Sequence, residues 1–356
     1  MENDVMQQET TDALETSALS GLDEIEKAES VLGVDRSLFE EPKFWSLQKK
    51  RFIKYRKVLW FIIPAALFTF IFSYIPMLGV LFAFKDSGHF KLFGRIGLWN
   101  VMADGYWTLE NFGNIFNDKF FKAVGNTLLI NIIKLVICFP LSIFIAVQLS
   151  ELKSQTMAKV VLIVICIPNF LSWAVVIATW SGLLDGDGGA LNNLLVTLKL
   201  NEPNHPLMQQ QGLYKFFVIF LSAWKGSGWG CIMFYAGIIA IDKSFYESAT
   251  LEGANRIHKM WYLTIPMIIP TIALMLVLNI SGMLATGLEV VLPLFNMLTD
   301  IEESQLTLDV YLYDITIMQP DIPMAATLGV FNGLVGLTLM IVGNFITTKT
   351  LKRGLW

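Results

Sequence analysis

The sequence predicts an all-α, polytopic membrane protein with six transmembrane helices and with both N- and C-termini cytoplasmic. Three observations lead there. Of 356 residues, 54% are apolar and 16% charged, against about a quarter charged in a soluble protein, and the mean hydropathy is +0.56. Six apolar stretches each exceed the roughly 20 residues that a helix needs to cross a hydrocarbon core of about 30 Å. Lys and Arg collect on one side of those stretches, which sets their orientation.

Taken in order, residues 1–42 read as an acidic, mostly disordered cytoplasmic tail. Twelve acids between Glu2 and Glu41 stand there against Lys27 and Arg36, so the tail is strongly negative while the remainder of the chain is net positive. A secretory signal needs a basic segment followed by an apolar core, and this start offers neither. Residues 43–57 mix seven cations, among them Lys49, Lys50 and Arg51, with Phe44, Trp45, Leu47, Phe52 and Tyr55. That composition suits a helix lying in the inner headgroup layer, or simply an anchor that sets topology.

The six-span domain covers 58–348, with spans at 58–84, 124–149, 160–184, 216–241, 263–288 and 324–348. Lipid offers no hydrogen-bond partners, so runs this long and apolar are expected to be helices. Only Lys134 and Lys225 bring charge into them. Prolines at 64, 76, 140, 168, 266 and 270 mark starts, kinks or broken turns. Cytoplasmic loops then hold Lys153, Lys159, Lys243, Arg256 and Lys259, and residues 349–356 form a cytoplasmic C-terminus with Lys349, Lys352 and Arg353. The outer loop between spans five and six has no Lys or Arg but holds Glu289, Asp300, Glu302, Glu303, Asp309, Asp314 and Asp321.

The loop at 242–266 departs from an ordinary connection. Ser244 is placed to cap a helix, and Glu247 three residues on would complete a capping box. Ala249 is small, and Gly253 would end or bend that helix. A second short helix follows through 255–263, and Pro266 would open the next span. The result is a compact helix-turn-helix on the cytoplasmic face, a shape suited to a partner's groove.

Here the chain resembles the membrane subunits of binding-protein-dependent ABC importers. Their pattern is Glu-Ala-Ala, three residues, Gly, nine residues, Ile-x-Leu-Pro. This chain has Glu247, Ser248 and Ala249, then Gly253, then Leu263, Thr264, Ile265 and Pro266, at the same spacing. Ser248 replaces the second position, and the aliphatic residues exchange among themselves. Further segments are similar to the sugar and oligosaccharide branch. These are Tyr74-Ile-Pro-Met-Leu-Gly-Val-Leu-Phe-Ala-Phe-Lys-Asp86, Trp107-Thr-Leu-Glu-Asn-Phe112, Asn126 with Thr127, Trp224-Lys-Gly-Ser-Gly-Trp229 and the terminal Gly354-Leu-Trp356. The stretches 309–314 and 319–326 depart from that branch.

The resemblance implies a permease subunit in a bacterial inner membrane that pairs with a second permease and docks two cytoplasmic ATPase subunits. It also implies an extracellular solute-binding protein that delivers a sugar or oligosaccharide. The loop becomes a coupling helix between helices 4 and 5, with Tyr246, Glu247, Ser248, Ala249, Gly253, Ala254, Ile265 and Pro266 as ATPase-coupling residues. Glu247 would accept hydrogen bonds or pair with an Arg of the partner. Gly253 would permit the turn and close approach, while Met260, Trp261 and Tyr262 would anchor it. No Gly-x-x-x-x-Gly-Lys-Ser/Thr run occurs, so ATP and Mg belong to the partner, and this chain binds no cofactor. No catalytic residue, metal site or nucleic-acid partner is expected.

A sugar path needs hydrogen-bonding groups and aromatic faces in an otherwise apolar bundle. In span five, Asn279, Gly282, Thr286 and Glu289 recur every three or four residues and would share one helix face. Span three offers Asn169, Trp173 and Trp180, and span four offers Trp224, Lys225 and Trp229. The path candidates are therefore Trp173, Trp224, Lys225, Asn279, Gly282, Thr286 and Glu289. Each has a structural rival: Asn and Thr also hold helices together, and Trp near span ends forms interfacial belts. Residues 226–230, rich in glycine, suit close helix packing through positions four apart. Two other classes compete for the whole chain. An ion-gradient-driven secondary transporter would bury acids for its coupling ion, and the span cores hold none. An intramembrane enzyme would want a catalytic constellation, yet His89, His205 and His258 lie outside the spans, and Cys138, Cys166 and Cys231 show no metal-ligand spacing.

Overall fold

A computed structural model describes residues 60–85, 107–186, 188–203, 205–298, 303–319 and 321–351. The acidic tail, the basic stretch 43–57 and the terminal 354–356 lie outside the described residues. Among the described residues the secondary structure is helical, apart from one isolated antiparallel bridge between Lys85 and Trp107. The first helix, α1 (Trp60–Phe84), is apolar throughout. The chain divides into two compact units within it, at Pro76 and Met77. In the first unit every described residue is exposed, as an apolar helix facing lipid would be.

A sequence detail explains one feature that occurs twice. Ile75-Pro-Met77 and Ile265-Pro-Met267 are each preceded by a five-residue π turn, Phe70–Tyr74 and Met260–Thr264. In both, the isoleucine amide bonds five residues back, Ile75 N–H to the Phe70 carbonyl and Ile265 N–H to that of Met260. Proline lacks an amide and crowds the carbonyl four residues earlier. The wider turn relieves that crowding without ending the helix.

The second unit continues with α2 (Glu110–Asn114), α3 (Asp118–Ser150), α4 (Gln155–Phe170), α5 (Trp173–Leu183) and α6 (Ala190–Thr197). Then follow α7 (Tyr214–Ile239), α8 (Lys243–Leu251), α9 (Arg256–Met267), α10 (Ile269–Ser281), α11 (Leu288–Asn296), α12 (Leu308–Tyr313) and α13 (Ile322–Leu351). Asn117, Ser154 and Ser172 cap α3, α4 and α5, each accepting a hydrogen bond from the amide three residues on.

Among the described residues, four helices are long and apolar enough to cross a membrane, α1, α3, α7 and α13, and counting each of two bent pairs as one span makes six. The bends fall in the spans read at 160–184 and 263–288, where Pro168, Pro266 and Pro270 are the sequence's signals for starts, kinks or broken turns. Between α4 and α5 the axis turns by 94°, because Leu171 and Ser172 are extended and Ser172 starts a new helix. Between α9 and α10 it turns by 63°, at Ile268, which stands between Pro266 and Pro270. Two prolines four apart remove two amides from one turn of ladder.

Helix α7 is the central post and packs most extensively against α3 and next against α4. A Cβ on Gly228 would lie 2.3 Å from the Ile165 carbonyl oxygen, and one on Gly230 would lie 2.7 Å from Ser142 Oγ. Gly226 meets nothing within 4 Å. Close packing therefore uses Gly228 and Gly230, two apart and aimed at different neighbours, rather than the pair four apart. Three clusters of buried apolar side chains organise this unit. One joins α5, α7 and α11, another α3, α12 and α13, and the third the later parts of α3 and α7 with Ile268.

Within the stretch 289–323, expected as an outer loop, the described residues include α11 and α12. Val290, Val291 and Leu294 of α11 are buried in the first cluster. At the start of α3, Asn126 donates to the Leu306 carbonyl at 2.9 Å, Thr127 Oγ1 accepts from Leu308 N–H at 2.8 Å, and Lys122 pairs with Glu303. Asn126 Oδ1 also accepts from Lys215 at 2.7 Å. The adjacent Asn126 and Thr127 thus fasten this region to α3.

Candidate functional site

Two places carry the chemistry: the α8–α9 pair at one end of α7, and a cavity within the bundle. Helix α8 begins at Asp242, whose Oδ1 accepts from Ser244 N–H at 2.9 Å. The cap is thus Asp242 rather than Ser244, and the expected capping box does not form. Asp242 has extended backbone and precedes the first turn, while Ser244 already lies inside it. The hydrogen bond from Ser244 N–H holds the Asp242 carboxyl below its ordinary value.

The C-terminus of α8 explains Gly253. Ala254 N–H bonds to the Ala249 carbonyl at 2.9 Å and Gly253 N–H to that of Thr250 at 3.0 Å, with Gly253 at φ +82°. This pairing closes a helix through a left-handed residue, which glycine adopts without steric penalty. A Cβ there would meet nothing within 4 Å inside the chain, so within this chain the glycine is required for the turn and not for space. Asn255 then caps α9, accepting from His258 N–H at 2.8 Å.

The two helices are fastened together. Tyr246 Oη lies 3.0 Å from Thr264 Oγ1, and Lys259 donates to Thr250 Oγ1 at 2.7 Å. Tyr246, Ala249 and Ala254 are half-buried, as is Ile265, whereas Glu247, Ser248, Gly253 and Pro266 are exposed. Pro266 stands inside α9 and does not open a span, because the π turn before it carries the helix past it. Leu251 at 90% exposure on α8, and Tyr262 at 80% and Trp261 at 58% on α9, leave apolar side chains open on both helices. Met260 instead packs on the third core cluster, so of the three residues expected as anchors only Trp261 and Tyr262 face outward. Arg256 reaches Glu151 at 3.8 Å, which puts the α3–α4 connection at the same end of the molecule.

The cavity, of about 480 Å³, lies among α3, α4, α5, α7, α10 and α11. Its geometry depends on the end of α10. The helix stops at Ser281, and residues 282–287 are non-helical until Gly287, at φ +102°, starts α11. Asn279, Gly282, Thr286 and Glu289 therefore do not share one helix face, because the interruption resets the helical phase. The interrupted backbone is satisfied by side chains. Asn131 Nδ2 lies 2.9 Å from the Met283 carbonyl oxygen and 3.3 Å from that of Ala285. Asp309 Oδ2 accepts from Thr286 N–H at 2.7 Å and Gly287 N–H at 3.2 Å. Irregular backbone inside a span is tolerated where side chains take up its polar groups beside a cavity.

Of the candidates read from sequence, Trp173, Lys225, Asn279, Gly282 and Thr286 line the cavity. Trp224 and Glu289 do not. Trp224 follows its own helix face outward and stands edge-on to Trp180, with ring centres 5.8 Å apart. Adjacent helical residues project about 100° apart, so Trp224 and Lys225 do not share a wall. Glu289 is exposed in the first turn of α11. Lys225 is 7% exposed, donates to the Asn169 carbonyl at 2.7 Å and stands 5.1 Å from the centre of the Trp173 ring, a cation–π distance. Sequence reasoning left out Asn131, Cys138 and Ser142, and did not group Lys134 with the path. All four line the cavity, and the signal was present, because their spacing of three and four residues makes one polar stripe along α3.

Comparison with known proteins adds an independent finding. The family model described as "Binding-protein-dependent transport system inner membrane component" matches residues 138–352. Protein LplB of Bacillus subtilis (strain 168) is 30% identical over 295 residues, 83% of this chain and 89% of that protein. The polygalacturonan/rhamnogalacturonan transport system permease protein YteP of the same organism is 31% identical over 326 residues, 91% of this chain and 97% of that protein. Among solved structures, a chain of a bacterial ABC transporter involved in the import of the acidic polysaccharide alginate matches with a TM-score of 0.71 at 24% identity, covering 85% of this chain and 99% of that one. A chain of a bacterial alginate ABC transporter in complex with an alginate pentasaccharide-bound periplasmic protein matches with a TM-score of 0.70 at 25% identity, covering 88% and 100%.

Proposed function

The chain belongs to the family of binding-protein-dependent transport system inner membrane components, and from that premise we propose that it is a permease subunit of an ATP-driven importer for a sugar or oligosaccharide. It forms the translocation path with a second permease, receives substrate from an extracellular solute-binding protein, and performs no covalent chemistry. ATP and Mg act on two separate ATPase subunits at the cytoplasmic face of the bacterial inner membrane, where both termini also lie. The observation that carries the reading is the α8–α9 pair: a capped, internally fastened helix-turn-helix with Glu247, Leu251, Trp261 and Tyr262 exposed. That surface suits the cleft of an ATPase, with Glu247 as a charged contact and the apolar residues as anchors. Closure of the ATPases moves the pair, and the fastening of Tyr246 to Thr264 transmits the motion into α9 and α10, whose far end borders the cavity. The alternation of access follows as the two permeases rock against each other.

The test is co-purification from the native host, with uptake measured in parallel. A second six-span permease and an ATPase are expected to accompany the wild-type chain. Glu247→Lys is expected to lose the ATPase and ATP-dependent uptake while retaining the second permease. A chain recovered alone, with uptake unaffected by the substitution, would overturn the reading.

A further inference from the structure

We infer that the cavity selects an anionic saccharide, one carrying carboxylate groups as a uronic-acid oligomer does, through Lys134 and Lys225. The inference rests on the importer reading and deepens it, naming the charge of the substrate and the residues that read it.

The cavity is lined by residues of six helices and of the 282–287 segment, and among them are two lysines but no Asp, Glu or His. Lys225 is held in place by neutral groups only, the Asn169 carbonyl and the Trp173 ring. Lys134 has a longer contact, 3.4 Å, with the Thr286 carbonyl. Asp309 Oδ2 is engaged with the Thr286 and Gly287 amides. Two ammonium groups inside an apolar bundle are costly unless a counter-charge arrives. A neutral sugar supplies none, and a path for one gains nothing from retaining them. A uronate supplies carboxylates that each lysine can meet with a charge-assisted hydrogen bond. The remaining lining fits the rest of such a ligand: Asn279 and Ser222 offer partners to hydroxyls, and Trp173 offers an aromatic wall. The volume lies within the usual range for small-ligand sites.

The experiment uses the full chain in the assembled transporter, in right-side-out membrane vesicles loaded with ATP and supplied with the binding protein. Uptake is measured for tetramers of galacturonate and of mannuronate, for their methyl esters, and for maltotetraose. The acidic tetramers are expected to enter, with the esters and maltotetraose at least tenfold slower. Lys134→Gln and Lys225→Gln are each expected to raise KM for the acidic tetramer about tenfold or more, and Arg at either position to restore most of the loss. Because the binding protein also selects, tetragalacturonate binding to the purified permease–ATPase complex without it is measured as well. That binding is expected to be at least tenfold weaker for the methyl ester than for the acid, and it needs no variant. Equal entry of acid and ester, glutamine variants indistinguishable from wild type, or equal binding of acid and ester would each overturn charge selection and leave the importer reading standing. Uptake that ignores ATP, or no saccharide uptake at all, would overturn both.

Discussion

At Gly228 two helix backbones come so close that the missing side chain is what lets them meet. A Cβ there would press on the Ile165 carbonyl at 2.3 Å, and backbone does not move aside as a flexible side chain does. Cys166 Sγ reaches the Gly228 carbonyl at 3.4 Å from the same neighbour. Gly228→Ala is expected to part α7 from α4 and cost about 1–3 kcal/mol, read as a lower unfolding temperature of the purified protein. Gly226→Ala, with open space around it, is expected to leave stability unchanged. The glycine-rich run was legible in sequence as a packing device. Which glycine makes the contact was not, because that depends on the rotation of α7 about its own axis. Asp242 carries a pH signature. Its folded value is depressed below the ordinary 3.8 by the Ser244 amide, so the stabilisation is present above 3.8 and is lost as pH falls through the depressed value. Acid titration of the purified protein is expected to show that component, and Asp242→Asn, which caps without titrating, is expected to remove it.

At the scale of elements, the α8–α9 pair was almost fully readable. Its helix signals are local: an Asx cap at Asp242, a left-handed glycine at Gly253 and a second Asx cap at Asn255 all belong to the one short loop. The cap fell two residues earlier than expected because Asp242 accepts from Ser244 N–H and so places Ser244 inside the first turn. The interruption after α10 was not readable. Residues 263–288 look like one apolar span, and the groups that stabilise a break at 282–287 come from Asn131 and Asp309, remote in sequence. Asp309→Ala is expected to leave the Thr286 and Gly287 amides without their charged acceptor and cost about 1.5–3 kcal/mol. A thermal melt of the purified protein checks the magnitude. Loss of uptake at temperatures where the chain is still folded would show that the turn also shapes the cavity.

At the scale of the whole molecule, hydropathy was enough to place the chain in a membrane and to locate its long apolar helices, since transfer free energies add residue by residue. The spaced motif at 247–266 was enough to point to the family, and the comparisons agree with it. Those are the properties that sequence determines alone, because each depends on composition or on neighbours along the chain. The tertiary structure decided the rest. It bent two spans, drew residues expected in an outer loop into the core as α11, turned Trp224 and Glu289 away from the cavity, and brought Lys134 and Lys225 to one chamber. Which way a side chain faces depends on helix phase and on where the helix breaks, and contacts between residues well separated in sequence, such as Gly228 with Cys166 and Asn131 with Met283, help to settle both.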